Sequence, residues 1–228
     1  MKKLLFILVL TIPLVGFGQN GLQKTYYENG QLKDEGNWKD DKKDGLFKMY
    51  SENGKLEREG NFKEGKEDGL FKYYYENGQL ESEINIKDGK LDGLWKIYYE
   101  DGQLESEKYY KDDEHNGLGE WYYENGQLSS EGNYKDGKKE GLWKSYYENG
   151  QLKGEGNFIG GLKHGLWKYY YENGQLWEEG NWKGSQTYGL FKTYYENGQL
   201  KFETEYKYLE LISQKCWNEN GKEIECEE

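Results

Sequence analysis

The stretch GLWKSYYENGQLKGEGNF, residues 141–158, decides the fold because close copies of it recur along the chain with a period of 24 residues. Its Asn-Gly step, which is Asp-Gly in one copy, places glycines at Gly30, Gly54, Gly78, Gly102, Gly126, Gly150, Gly174 and Gly198. A second series keeps the same period at Gly45, Gly69, Gly93, Gly117, Gly141, Gly165 and Gly189. Two series in phase over about 170 residues are typical of one supersecondary unit copied in tandem.

Within the quoted stretch, Asn149-Gly150 lies between two segments of alternating character. An Asn-Gly pair suits a two-residue type I′ turn, since both central residues need a positive φ. Each copy therefore predicts a β-hairpin, and a second turn such as residues 135–141 leads into the next copy. The predicted fold is all-β: an elongated antiparallel meander of about eight tandem 24-residue hairpins, forming a twisted ribbon or rod.

A two-residue loop at Asn149-Gly150 sets a register in which paired residue numbers sum to 299. On one face, which we expect to be the packed one, large rings lie opposite glycines, so that the ring covers bare backbone and the glycine leaves room for it. The pairs on this face are Tyr147 with Leu152, Trp143 with Gly156, and Gly141 with Phe158.

The other face holds the pairs Leu142 with Asn157, Lys144 with Glu155, and Tyr146 with Lys153. The lysine–glutamate pair recurs in seven of eight copies, and we predict structural ion pairs at Lys144–Glu155 and Lys168–Glu179. Opposite charges across a ladder stabilise a sheet by about 0.2–1 kcal/mol per pair. Only the fifth copy departs from this pattern, since it places Glu120 opposite Glu131.

The first 18 residues resemble no repeat and are typical of a secretory signal peptide. Lys2 and Lys3 precede an apolar run from Leu4 to Val15, and small residues follow before Gln19. The run is shorter than the roughly 20 residues that cross a bilayer. We expect a cleaved signal peptide at 1–18, a repeat array at 19–205, and a cap hairpin with an acidic tail at 206–228. The product would be periplasmic, on the cell surface or secreted.

Composition excludes several partner classes. The formal net charge of −12 becomes −14 once the two signal-peptide lysines are removed. Nucleic acid and anionic lipid are therefore poor partners, and we do not expect stable membrane insertion. Aromatic residues make up 17% of the chain and include 23 tyrosines, so the apolar burial is aromatic.

No catalytic, metal or cofactor site is predicted, and we do not expect an enzyme. His115 and His164 both fall in predicted inter-repeat turns, about two repeats or roughly 20 Å apart, too far to share a metal. The 43 carboxylates repeat with the period, which is typical of a solvated face rather than of a catalytic pair.

Cys216 and Cys226 flank the last Asn-Gly turn, and export to an oxidising compartment favours a disulfide. A two-residue Asn220-Gly221 loop pairs numbers that sum to 441, whereas the cysteine numbers sum to 442. The thiols would then face opposite sides of the sheet. Either a bulge or longer loop allows the bridge, or the thiols stay apart.

The repeats resemble the MORN repeat variant family, the second MORN type, whose members include the YwqK-type antitoxins. The resemblance spans about residues 22–205. It is carried by GLWK-x-YYENGQL at 141–152 and 165–176, and by GLKHG at 161–165, which is similar to the GK-x-HG core of ordinary MORN repeats. It implies scaffolding, protein-binding or membrane-associated repeats and no catalytic residues. The signal peptide departs from a cytoplasmic antitoxin but fits an immunity protein against a periplasmic toxin.

The leading hypothesis is a non-enzymatic scaffold that binds a protein partner, with an antitoxin or immunity role as one special case. The fifth copy is the most deviant, with Gly119 where Trp or Phe is expected and Trp121 two positions later. The candidate contact residues are Tyr26, Tyr74, Tyr98, Tyr122, Tyr146, Tyr170 and Trp121. The competing interpretation is that these rings pack along the ribbon and that the fifth copy has drifted.

A glycan-binding module is the alternative from another class. WYYENG is similar to the aromatic hairpins of cell-wall-binding repeats, which hold sugars or choline between hairpins. Those repeats are shorter and carry GW after the turn, whereas L-x-x-E-G-N follows here.

Overall fold

The structure, a computed structural model, describes residues 18–226. The predicted signal peptide lies outside the described residues except for Gly18, and so does the end of the acidic tail. Within residues 18–226 every regular element is a β-strand, and this part of the chain contains no helix able to span a bilayer.

Eighteen strands follow one another, two to each of eight repeats, with two more at the end. Repeat 1 is β1–β2, repeat 6 is β11–β12, repeat 7 is β13–β14 and repeat 8 is β15–β16. The strands are β1 Gly21–Tyr26, β2 Leu32–Lys39, β3 Lys42–Tyr50, β4 Leu56–Lys63, β5 Lys66–Tyr74, β6 Leu80–Lys87, β7 Lys90–Tyr98, β8 Leu104–Lys111, β9 Glu114–Tyr122, β10 Leu128–Lys135, β11 Lys138–Tyr146, β12 Leu152–Ile159, β13 Leu162–Tyr170, β14 Leu176–Lys183, β15 Gln186–Tyr194, β16 Leu200–Lys207, β17 Glu210–Trp217 and β18 Glu223–Ile224.

Each strand pairs antiparallel with the next one along the chain, from β1–β2 to β17–β18. The result is one open 18-stranded meander built from 24-residue repeats. This confirms the predicted fold class. Within residues 18–226 the backbone ladders join only strands that follow one another along the chain, so each repeat depends on the repeats beside it.

The turn predicted at Asn149-Gly150 is wrong in its type. The Gly150 amide donates to the Tyr147 carbonyl, and the Tyr147 amide donates to the Gln151 carbonyl. The loop therefore has three residues, Glu148, Asn149 and Gly150, all of which lie in the described part of the chain. Among these three, Gly150 alone has a positive φ, of 82°. This is a type I turn closed by a left-handed glycine.

The longer loop changes the pairing next to it and then restores it. Tyr146 lies opposite Leu152, which corrects the predicted pairs of Tyr147 with Leu152 and Tyr146 with Lys153. A bulge at Lys153 adds one residue to β12, so Ser145 pairs with Gly154 in the predicted register. All pairs farther from the loop keep the predicted sum of 299.

Two-residue turns occur instead between repeats. Lys135 pairs with Lys138, and the intervening Asp136 and Gly137 have φ of 49° and 72°. Positive φ at both central residues is the mark of a type I′ turn. The turn chemistry expected of Asn-Gly is therefore carried by the Asp-Gly step at the other end of the hairpin.

The second glycine series lies within strands rather than in turns. Gly141 of β11 pairs with Phe158 on one side, but on the other side Gly141 and Leu142 are extra residues between the partners of Gly132 and Asn133. Gly141 has φ of 73°, and a Cβ there would meet nothing within 4 Å. Glycine is required at this bulge by backbone conformation and not by space.

The packed face of the sheet, called here the aromatic face, is built from rings over glycines. Trp143 is 5% exposed and pairs with Gly156 in its own repeat and with Gly132 of the preceding repeat. It lies over Gly132, because a Cβ built on that glycine would be 2.2 Å from the Trp143 ring. The ring packing therefore joins repeat 6 to the repeat before it.

Candidate interaction surface

The opposite side of the sheet, called here the leucine face, carries the candidate site. In repeat 6 it presents Leu142, Lys144 and Tyr146 from β11, with Asn157 and Glu155 opposite them on β12. Alternation of side chains along each strand separates these residues from Trp143 and its neighbours. The leucine face thus combines apolar, charged and aromatic groups in every repeat.

The tyrosines of the leucine face are tied to glutamates of the preceding repeat. The Tyr146 hydroxyl donates to Glu131 Oε1 at 2.7 Å, a contact that spans 15 residues. The same contact is made by Tyr50 to Glu35, Tyr74 to Glu59, Tyr98 to Glu83, Tyr170 to Glu155 and Tyr194 to Glu179. In the deviant fifth repeat Tyr122 donates to Glu120 instead.

These contacts change the ionisation of the phenols. Burial first, then the hydrogen bond to Glu131, raises the pKa of Tyr146 to about 12. Burial and the Glu59 contact raise the pKa of Tyr74 to about 12 in the same way. A phenolate beside a carboxylate is disfavoured, so these hydroxyls remain donors.

Of the predicted contact tyrosines, only Tyr26 is exposed, at 59%, and the others are half-buried. Because their hydroxyls are engaged within the sheet, this arrangement favours the packing interpretation for the rings. Tyr50 and Tyr194 hold the same place but were not singled out, although the 24-residue period placed them there.

The predicted lysine–glutamate neighbours share the expected register, but only some form ion pairs. Lys144 lies opposite Glu155, and Lys168 lies opposite Glu179. Both pairs lie within residues 18–226, and in neither does the lysine Nζ come within 4.0 Å of a glutamate carboxylate oxygen. The ion pairs that do form are Lys24–Glu35 at 2.9 Å, Lys48–Glu59 at 3.5 Å, Lys72–Glu83 at 3.1 Å and Lys96–Glu107 at 3.1 Å.

A row of exposed leucines runs along the leucine face and was not singled out from the sequence. Its seven exposed members are 37–56% exposed, and Leu94, beside Tyr109, is half-buried in the same row. The exposed members are Leu22, Leu46, Leu70, Leu118, Leu142, Leu166 and Leu190. The signal for it was the leucine that follows every glycine of the second series, a fixed apolar residue on the face not expected to pack.

Trp121 replaces the ring that the fifth repeat lacks. The far edge of its indole lies over Gly119, where a Cβ would be 2.7 Å from Trp121 Cη2. Its ring centroid is 5.7 Å from that of Trp143 in the next repeat. Trp121 is half-buried on the aromatic face, so the predicted contact residues are divided between opposite faces.

The prediction that both histidines lie in inter-repeat turns is wrong, since His115 lies in β9 and His164 in β13, and the prediction of a surface position is wrong for His115. His115 lies within β9, where its ring stacks on Tyr134 at 3.8 Å and on Tyr110 at 5.1 Å. Burial, with a smaller effect of Lys108, lowers the pKa of His115 to about 4. His164 is exposed on β13 and contributes to no such stack.

Cys216 and Cys226 form a disulfide with a Cα–Cα distance of 5.4 Å. The last Asn-Gly turn has the same three-residue loop as the others, since the Gly221 amide donates to Asn218 and the Asn218 amide donates to the Lys222 carbonyl. Cys216 consequently pairs with Ile224, and Cys226 follows two residues beyond. This is the longer-loop alternative of the two left open by the sequence.

Across residues 18–226, no group of three or more His, Cys, Asp or Glu side chains is arranged to hold a metal ion. The repeated carboxylates lie instead against lysines and tyrosine hydroxyls. The recurring chemistry of this surface is therefore apolar contact and hydrogen bonding.

An open meander of similar hairpins, each paired with the hairpins next to it along the chain, defines a tandem β-repeat protein. The MORN repeat variant family matches eight segments, at residues 19–40, 43–64, 67–88, 91–112, 116–136, 139–159, 163–183 and 187–208. Because these segments cover most of the sequence, the chain belongs to the MORN repeat variant family. No curated protein matches it.

Among solved structures, the chain is similar to one chain of a crystal structure of TcdB2-TccC3-Cdc42. Sequence identity is 14% over 89% of this chain, with a TM-score of 0.23. The likeness covers 13% of that chain's length, and at this TM-score it carries no argument about fold or function.

Proposed function

We propose that this chain is an exported, non-enzymatic repeat protein that binds a protein partner along its leucine face. The observation that carries the proposal is the row of seven exposed leucines. Exposed asparagines separate the leucines, but the apolar side chains recur at a fixed spacing on one face, and exposed apolar surface rimmed by polar groups is typical of interaction sites.

The geometry of the row supports an elongated partner. Successive leucines are two strands apart, which corresponds to about 9.6 Å at ordinary strand spacing. A lysine and a glutamate flank the leucine in seven of the eight repeats, as Lys144 and Glu155 flank Leu142, and supply a polar rim. A partner with regularly spaced apolar side chains would bury the row, and the net charge of −12 favours basic residues around them.

Export rests on residues 1–18, whose charge and apolar pattern are those of a signal peptide. An antitoxin or immunity role, as in the YwqK-type members, would be one instance of this function, with the toxin as partner. A toxin-like reading frame beside the gene would support it.

The glycan-binding alternative is less well supported by the rings. Aromatic sugar sites present open ring faces, whereas Trp143 and Trp167 of the aromatic face are 5% and 7% exposed, and Trp177, at 43%, is the one exposed tryptophan of residues 18–226. Retention on purified cell-wall polysaccharide would favour the glycan function instead.

The proposal is tested by photo-crosslinking in the native cell, with the crosslinker in place of Lys144 on the leucine face. Leu142, Leu166 and Leu190 are changed together to serine, and the control changes their exposed neighbours Asn133, Asn157 and Asn181 to serine. We expect the crosslinked protein to be lost in the leucine variant and retained in the asparagine control. Equal crosslinking in both variants would contradict the proposal.

A further inference from the structure

Seven of the eight repeats place a tyrosine at the first position of the Asn-Gly turn, called here the loop tyrosine. Its hydroxyl reaches a backbone carbonyl 22 or 23 residues further along, in the next hairpin. The contacts are Tyr27 to Tyr50, Tyr75 to Tyr98, Tyr99 to Tyr122, Tyr123 to Tyr146, Tyr147 to Tyr170, Tyr171 to Tyr194 and Tyr195 to Trp217, at 2.6–2.9 Å.

Repeat 2 breaks this series, because Ser51 stands where the loop tyrosine is expected. The Ser51 hydroxyl cannot cross to the next hairpin and bonds within its own turn, to Asn53 and to the Lys55 carbonyl. The 23-residue spacing identifies the Tyr74 carbonyl as the group that a tyrosine at 51 would have reached.

A cavity of about 410 Å³ lies at this break. Its apolar lining comes from side chains of both hairpins, with Met49 and Leu56 on one side and Tyr73 and Tyr75 on the other. The volume is within the range of small-molecule sites, about 300–1,000 Å³.

The charged groups around the cavity favour one sign of ligand. Arg58, the one arginine of the chain, is paired with Glu67, and Lys55 Nζ donates to the Glu76 carbonyl at 2.5 Å. Glu57, Glu76 and Glu81 also line the cavity, so carboxylates outnumber cations there. A ligand with its own negative charge would be repelled.

We propose that the cavity at Ser51 is a binding site for a phenol ring whose para substituent is neutral or cationic. The ring would occupy the place that seven other repeats fill with their own tyrosine, and its hydroxyl would donate to the Tyr74 carbonyl. The source is either a free phenol or a tyrosine side chain of a peptide. This site is separate from the leucine face and does not depend on the function proposed for it.

The test is an NMR titration of the full chain with p-cresol, N-acetyl-tyrosinamide and 4-hydroxyphenylacetate. We expect saturable shifts from p-cresol at Tyr73 and Tyr75, and at least tenfold weaker binding of the anionic 4-hydroxyphenylacetate. Binding of N-acetyl-tyrosinamide at the same residues would identify a peptide tyrosine as a ligand, and p-cresol binding alone would identify a free phenol.

Two substitutions make the test specific to the cavity. Ser51→Tyr restores the loop tyrosine and is expected to abolish p-cresol binding, while Tyr147→Ser is expected to create a second site in repeat 6. Circular dichroism establishes that each variant is folded. Absence of saturable shifts in the native chain, or binding unchanged by Ser51→Tyr, would overturn the proposal.

Discussion

Trp167 of repeat 7 occupies the space above Gly156 of repeat 6, so closely that a Cβ on that glycine would lie 2.1 Å from Trp167 Cδ2. Phe71 covers Gly60 and Phe191 covers Gly180 in the same way, with distances of 2.1 and 2.2 Å. The glycine of one repeat and the ring of the next therefore form the contact at five of the seven junctions between repeats, and Ile84 and Lys108 take the place of the glycine at the other two.

Replacing Gly156 with alanine should destabilise the protein by about 1–3 kcal/mol, the usual cost of overpacking. The added methyl group would force Trp167 away from its neighbours. The control is Asn157→Ala, at the next position of the same strand but exposed on the leucine face. Denaturant unfolding should show a lower midpoint for the glycine variant alone, and equal midpoints would contradict this account of the repeat contact.

Removing the Tyr146 hydroxyl as Tyr146→Phe should cost about 0.5–1.5 kcal/mol, the net value of one hydrogen bond. Glu131 Oε1 would lose its donor across the repeat boundary. Tyr109→Phe is the matched control, since Tyr109 is exposed on the leucine face and its hydroxyl makes no hydrogen bond within residues 18–226. A comparable loss of stability in both variants would show that the loss does not come from the Tyr146–Glu131 hydrogen bond.

The tyrosine–glutamate hydrogen bonds of the leucine face also predict that the folded protein becomes less stable in alkaline solution. The folded protein holds the pKa of Tyr146 and Tyr74 at about 12, against about 10 in an unfolded chain. Between these values the folded state binds more protons, so stability falls as the pH rises from 10 to 12. Thermal unfolding followed across this range should show a steeper decline for the native chain than for a Tyr74→Phe, Tyr146→Phe variant.

The lowered pKa of His115 predicts that the folded protein loses stability in mild acid. Its pKa is about 4 in the folded protein and 6.5 in the unfolded chain. Between these values the unfolded state binds more protons, so the contribution is complete above pH 6.5 and is lost as the pH falls towards 4. His115→Leu, which copies Leu91 at the same place in repeat 4, should flatten the melting temperature between pH 6.5 and 5. An unchanged slope would contradict the assigned pKa.

Reducing the Cys216–Cys226 disulfide should loosen the final hairpin and leave the repeats intact. A bridge that closes a loop of this length stabilises by about 3 kcal/mol in the chain-entropy treatment. Hydrogen exchange should accelerate at Trp217 in a Cys226→Ser variant, with amides of repeat 6 unchanged. The disulfide itself is detected as a two-dalton increase in mass on reduction. An unchanged mass on reduction of the isolated protein would contradict the Cys216–Cys226 disulfide.

The sequence predicted the hairpins and most of the pairing, for a physical reason visible at Lys153. The three-residue loop shifts Tyr146 by one partner, but the bulge at Lys153 cancels the shift before Lys144 and Trp143 are reached. Periodicity and side-chain alternation depend on the strands and not on the turn type. The faces of Leu142, Trp143 and Lys144 were therefore assigned correctly, whereas Leu152 was placed with Tyr147 and pairs instead with Tyr146.

The hydroxyl contacts could not be predicted in the same way. Tyr146 reaches Glu131 because β10 and β11 pair in a register set by the bulge at Gly141 and Leu142. Glycine in a sequence is compatible with a turn, a bulge or a close approach, and only the backbone distinguishes them. The cavity at Ser51 was also missed, although the serine in a column of tyrosines was visible.

The loop tyrosine series gives the chain a built-in polarity. Seven of the eight repeats donate the hydroxyl of the loop tyrosine forward, as Tyr147 does to the Tyr170 carbonyl, while Tyr146 of the leucine face donates backward to Glu131. An interior repeat that keeps both tyrosines thus meets its neighbours through the same bonds as the other such repeats, so copies of this kind can be gained or lost without a change in the contacts between repeats. The number of repeats then sets the length of the leucine face, and duplication or loss of a repeat in the gene changes that length by one hairpin.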